Sequence, residues 1–143
     1  MTNSLPPDGS PGLALWRVTL RWQRRIAAAL KPFDLTHVQF VLLTCAWWLT
    51  DEGGEQPSQR RLAEFAGTDV MMTSQVLRTL EGKGLVERRS DPADARSKAI
   101  SVTEEGRSLT LRAVREVEAV DHDFFASVDS EHLLTLLRTL ELS

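Results

Sequence analysis

A single cysteine, Cys45, excludes an internal disulfide framework. It sits in an apolar helical stretch, where a thiol acts as a packing group rather than a redox centre. Lone-cysteine usage fits a reducing cytoplasm. The three histidines, His37, His122 and His132, are scattered and give no metal-ligand spacing. Tyrosine is absent, which removes one common source of hydroxyls for a ligand pocket. No run reaches the roughly 18 apolar residues of a membrane span. The most apolar stretch, Phe40 to Leu49, has the length of a buried core helix. Neither Gly-x-Ser-x-Gly nor a phosphate loop nor a dinucleotide fingerprint occurs, so no enzyme, cofactor or metal is expected. Met1 to Gly12 is rich in Pro, Gly and Ser and lacks a basic start. It reads as a disordered arm, not a signal peptide.

What remains suits one domain over residues 13–143, with 42% hydrophobic residues to build a core. The net charge is −3, but it is unevenly placed. Residues 58–98 carry eight basic and six acidic side chains, whereas residues 99–143 carry four basic and nine acidic. Attraction to phosphates follows the local field, so an acidic total does not exclude a nucleic-acid partner.

Leu13, Trp16, Leu20, Ala27 and Leu30 recur at helical spacing, interleaved with Arg17, Arg21, Arg24 and Arg25, until Pro32. Thr36 and Gln39 form a capping-box pair ahead of a central buried helix. Ser58 opens a short third helix whose inner face is Leu62, Ala63, Phe65 and Ala66, with Gly67 as its stop. Thr68 and Asp69 compete to cap a fourth helix, with Thr73, Val76, Leu77 and Leu80 inward. Two helices joined by a tight turn at Gly67 make a helix-turn-helix. Leu85–Arg89 and Ala99–Thr103 read as strands joined by the nine residues Ser90 to Lys98. A charged hairpin tip beside a helix-turn-helix is a wing. Thr103 caps a long helix with Leu109, Ala113, Val117, Val120 and Phe124 on one face. Asp129 or Ser130 caps a last helix holding Leu133, Leu134, Leu136, Leu137, Leu140 and Leu142. That is more leucine than one small protomer needs, and it predicts a dimer contact. The fold class is therefore mainly α with a small β-hairpin wing. A winged helix-turn-helix lobe over 36–103 is flanked by helical segments over 13–34 and 104–143.

The ordered set Leu35-Thr36-x-x-Gln39-Phe40-x-x-Leu43, Leu62-Ala63-Glu64, Leu80 to Arg88, Asp91-Pro92-x-Asp94-x-Arg96-x-Lys98 and Val102 to Gly106 resembles the MarR family of bacterial winged-helix repressors. The resemblance spans residues 13 to 142. It implies a cytoplasmic homodimer on double-stranded DNA, built from dimerisation helices over 13–34 and 104–143, with the fourth helix in the major groove and the wing at the minor groove. It also implies a repressor released by a small molecule. A twofold dimer would read a pseudo-palindrome with half-sites about 10 bp apart. A non-specific architectural module is the alternative, and turnover or strictly non-specific binding would separate the readings.

The resemblance gives Arg96 entry to the minor groove and Asp94 the task of holding the wing, here by a charge-assisted bond. Lys98, Arg88 and Arg89 would meet phosphates. Strand neighbours point to opposite faces, so one of Arg88 and Arg89 serves the protein side. On the fourth helix Gln75 can pair with adenine, Arg78 with guanine or a phosphate, and Ser74 with a phosphate or base edge. Met71 and Met72 either touch a thymine methyl or pack on a neighbouring helix. Ser58, Arg60 and Arg61 either hold the DNA backbone or are ordinary surface. The tryptophans serve core and dimer packing, or else a ligand pocket. In the family, effectors lie between the dimer helices and the lobe. Trp16, Arg17, His37, Phe40 and Trp47 could line such a site for an aromatic or phenolic effector. Peroxide-sensing relatives carry their cysteine near the start of the first helix, where this chain has none.

Overall fold

The structure is a computed structural model that describes residues 7–91 and 94–143, with side chains described over 8–90 and 98–143. Along it run α1 (Pro11–Leu30), α2 (His37–Asp51), α3 (Gln59–Ala66), α4 (Val70–Gly82), β1 (Val86–Asp91), β2 (Asp94–Val102), α5 (Glu104–Phe124) and α6 (Ser130–Glu141).

Each helix begins where the sequence supplies an oxygen for the free amides of its first turn. Thr36 and Gln39 complete the capping box of α2, each bond being 3.2 Å. Ser58 accepts from the Arg61 amide at 3.0 Å, and Thr103 from Gly106 at 3.0 Å. Asp69, rather than Thr68, caps α4 by accepting from Met72 at 2.8 Å. The Thr68 hydroxyl instead meets that of buried Thr73 at 2.7 Å and ties the turn to the helix. Helical structure is found earlier than the sequence suggests. Pro7–Gly9 form a 3-10 turn, and Ser10 caps α1 with Pro11 at its first position. Proline composition reads as loop, yet proline is well suited to a helix's first turn.

Helix α2 is the hub. Leu42, Leu43, Ala46 and Leu49 are fully buried, and the helix touches α1, α3, α4, α5 and β2. Leu62 and Ala63 of α3 and Leu77 and Leu80 of α4 close the core from below. Gly67, at φ 75°, makes the sharp turn between α3 and α4. Phe65 departs from its expected inward place. It is 41% exposed at the edge of a narrow apolar stripe and stacks on Trp48 with ring centroids 5.4 Å apart.

The hairpin is longer than its apolar alternation indicates. The ladder runs from Val86↔Val102 to Asp91↔Asp94, so most of the expected nine-residue loop is strand. Residues 90–98 are polar, charged or small, so no apolar alternation marks them as strand in the sequence. Its root is fastened by Ile100, which is buried and donates its amide to the Pro57 carbonyl at 2.8 Å.

Helix α5 starts hard against this root. A Cβ at Gly106 would lie 2.1 Å from the Leu85 carbonyl oxygen. Backbone must move to admit it, so Gly106→Ala should lower stability by about 2–3 kcal/mol. An unchanged thermal midpoint would contradict this packing. Further along, α5 buries Ala113 and Val117 and joins α1 through the Trp22 indole N–H, which donates to Asp121 at 2.8 Å. Arg25 pairs with Asp123 at the same junction, and Arg107 with Asp51 at 2.9 Å near the far end of α2. Helix α6 stands apart, with no buried residue.

Candidate nucleic-acid interface

The inward stripe of α4 is Thr73, Leu77 and Leu80, all fully buried. The opposite side presents Met71, Gln75 and Arg78, each exposed, with Ser74 and Met72 half-buried on the flanks. Partial burial of Met72 favours packing for that residue, whereas Met71 is 78% exposed. Asp69 is occupied at the cap and offers the helix N-terminus its negative charge.

The basic residues separate into two groups. Arg88 is a strut, with only 14% of its side chain exposed. Its guanidinium donates to Glu81 at 3.1 Å and to Gln59 at 2.9 Å, tying β1 to α4 and α3. It is withdrawn from the phosphate-facing set, because a guanidinium held on two sides has little left for DNA. Arg61 grips Glu55 through two bonds of 3.1 and 3.2 Å and lies over the Phe65 ring. Those bonds hold the Glu55 carboxyl below its usual range. Ser58 is engaged as a cap. Arg60, Arg78 and Lys98 are exposed and enter no ion pair among the described residues. Arg89 is exposed and donates to exposed Glu87 at 2.8 Å, a surface pair that leaves it in solvent reach. Asp94 and Arg96 belong by backbone to β2, and their side chains lie outside the described residues.

The five expected pocket residues are not gathered into one described cavity. Trp16 is 62% exposed and Arg17 exposed on α1, whereas Phe40 belongs to the core. His37 borders an open crevice of about 440 Å³ with Lys31, Asp34, Thr36, Gln39 and Lys83, and none of the other four does. Trp47 is half-buried, and its indole nitrogen is enclosed without a hydrogen-bond partner among the described residues, as is the Thr44 hydroxyl one turn before it.

Two partners were missed in the sequence. Trp22 of α1 meets His37 edge-on, with centroids 5.0 Å apart, while donating to Asp121 of α5. Three helices thus meet at His37, where the α1–α5 pair joins the lobe. Burial lowers the His37 pKa from its ordinary 6.5, and the Asp121 charge opposes this in part. The unfolded chain therefore binds the proton more readily than the folded one. Stability should be full above pH 6.5 and fall as pH drops through the histidine range. His37→Gln should flatten that slope in urea titrations between about pH 7 and 5. An unaltered slope would show that other groups set it.

A helix-turn-helix with an exposed outer face on its second helix, followed by a two-stranded wing, defines a winged-helix DNA-binding protein. The MarR family model matches residues 35–98. The HTH-type transcriptional regulator YdcH of Bacillus subtilis (strain 168) is 45% identical over 135 residues, covering 94% of this chain and 91% of that protein. CouR from Rhodococcus jostii RHA1, bound to p-coumaroyl-CoA, superposes with a TM-score of 0.82 at 30% identity, covering 96% of this chain and 94% of that one. The transcriptional repressor CouR on a 23-mer DNA duplex gives 0.79 at 26% identity, covering 98% of each chain. The chain belongs to the MarR family and is a DNA-binding transcriptional regulator, not an enzyme.

Proposed function

We propose that the protein is a cytoplasmic homodimeric repressor that binds a pseudo-palindromic operator and is released by a small aromatic effector. The observation that carries the dimer is α6. Leu136 and Leu140 are 51% and 64% exposed, and no residue of the helix is buried. Beside it, Leu15, Val18, Trp22, Phe125, Leu133 and Leu137 line an apolar cleft of about 380 Å³, a seat for the partner's helix. Twofold symmetry then presents two α4 helices to successive major grooves, with half-site centres about 10 bp apart.

Gln75 and Arg78 are assigned to base edges, Ser74 to a base edge or phosphate, and Arg60, Arg89 and Lys98 to phosphates. Asp94 and Arg96 are assigned to the wing tip. The effector reading draws on CouR, which binds p-coumaroyl-CoA. It is supported by the Trp47 indole N–H and Thr44 hydroxyl, enclosed and without a partner among the described residues, which an effector's oxygen could satisfy. Release follows if the ligand binds the conformer that cannot span both half-sites more tightly than the one that can.

The test is selection of bound duplexes from a random pool with the purified protein. An enriched inverted repeat is expected. Binding without enrichment would favour an architectural module instead. Release of the selected duplex by hydroxycinnamic acids or their CoA thioesters would then establish the effector class. Retention under all of them would remove the aromatic reading.

A further inference from the structure

Among the described residues, only Leu142 at the chain's end exposes a larger fraction than Met71 among the large apolar side chains. Met71 sits in the first turn of α4, and its position on the helix is specific. Successive residues turn by about 100°, which places Met71 and Gln75 within about 30° of the direction opposite the buried Thr73–Leu77–Leu80 stripe. The residue aimed most directly away from the core, at the end of α4 nearest its cap, is therefore a thioether. Val70 beside it is 51% exposed. No charged side chain occurs between Asp69 and Arg78. The leading half of the helix is thus neutral and partly apolar, and it loses little hydration on approaching base edges.

We infer that Met71 is a specificity-determining residue that reads the C5-methyl group of a thymine in each operator half-site. The inference rests on the operator reading above and deepens it. Methionine cannot form the bidentate bonds by which Gln75 or Arg78 recognise bases. In the major groove, the one apolar group a standard base presents is the thymine methyl. Four residues of helix separate Met71 from Gln75, a rise of about 6 Å. That is close to two base-pair steps at about 3.4 Å each. With Gln75 on an adenine, Met71 falls about two base pairs away on the same groove floor. The flexible thioether can settle against a methyl without a fixed angle.

The experiment replaces each thymidine of the selected operator in turn by deoxyuridine, which removes the methyl group and leaves base pairing intact. Binding is followed by fluorescence anisotropy. For the wild-type protein, one position per half-site should weaken binding about fourfold, the transfer value of one methyl group. Both half-sites changed together should cost about fifteenfold, the product of the two. Met71→Ala should bind the thymidine and deoxyuridine duplexes alike, while Arg78→Ala keeps the wild-type difference. Unchanged thermal midpoints are expected for both variants, since both side chains are exposed. Insensitivity of the wild-type protein to every deoxyuridine would overturn the inference. So would a difference that persists in Met71→Ala. A random pool that yields no operator would instead overturn the operator reading, and this inference with it.

Discussion

Ending the chain at Asp129 is expected to turn a dimer into a monomer and to lower operator affinity by a hundredfold or more, roughly the loss on separating two linked binding modules. Asp129 caps α6 by accepting from Glu131 and His132, so this boundary removes the helix without cutting into α5. Within the protomer α6 does little, having no buried residue. Its exposed leucines therefore stabilise mainly what lies across an interface. Covering each half-exposed leucine contributes about 1 kcal/mol, and a twofold axis doubles the sum. Sedimentation of the truncated chain at micromolar concentration reads the result. Should truncation impair folding, Leu136→Glu with Leu140→Glu makes the same demand on a complete chain, since both side chains face solvent. A stable dimer of either variant would place the interface elsewhere. A monomer that binds the full operator as tightly as wild type would remove the need for two lobes.

Much of the fold was legible because backbone amides and apolar surface leave strong marks. Thr36 with Gln39, Ser58 and Thr103 each sit where a capping oxygen is required, and each caps. The body of α2, Phe40 to Leu49, is apolar nearly all round, which suits a central buried helix. The site was less legible, for a physical reason. Arginine's charge is visible in a sequence, but its partner is not. Arg88 and Arg89 are neighbours with the same chemistry, yet one is gripped by Glu81 and Gln59 and the other, at the surface, pairs only with exposed Glu87 among the described residues. Strand alternation says that they differ, without saying which is bound. A hint lay in Glu81, seven residues before Arg88 at the end of α4, from which a returning strand comes back within reach. Phe65 shows the converse. Apolar character placed it inside, whereas stacking on Trp48 holds it at the surface. The Trp22–His37–Asp121 junction joins residues as far as 99 positions apart, and no local pattern announces it.

Arg96→Ala is expected to weaken specific operator binding about tenfold or more while leaving the dimer intact, the usual cost of losing an arginine that reads a groove. Arg96 stands on β2 four residues before buried Ile100, at about 3.3 Å per residue some 13 Å beyond the core. With its backbone so far along the strand from the core, its loss is expected to spare the thermal midpoint. The hairpin is stiff at its root, where Ile100 bonds to Pro57 and Arg88 braces β1, and this carries a position near the tip out from the lobe. A guanidinium there would gain most in a narrow A·T-rich minor groove, where the potential is most negative. The variant should therefore lose more affinity on operators with A·T flanks than on those with G·C flanks. Lys98, exposed on the same strand and opposite Ser90, provides the contrast. Lys98→Ala should weaken all duplexes alike and reduce the salt slope by about one counterion. If Arg96→Ala behaves in the same flank-blind way, the wing holds phosphates and reads nothing. If affinity is unchanged, Arg96 is not a contact, and base specificity rests on α4.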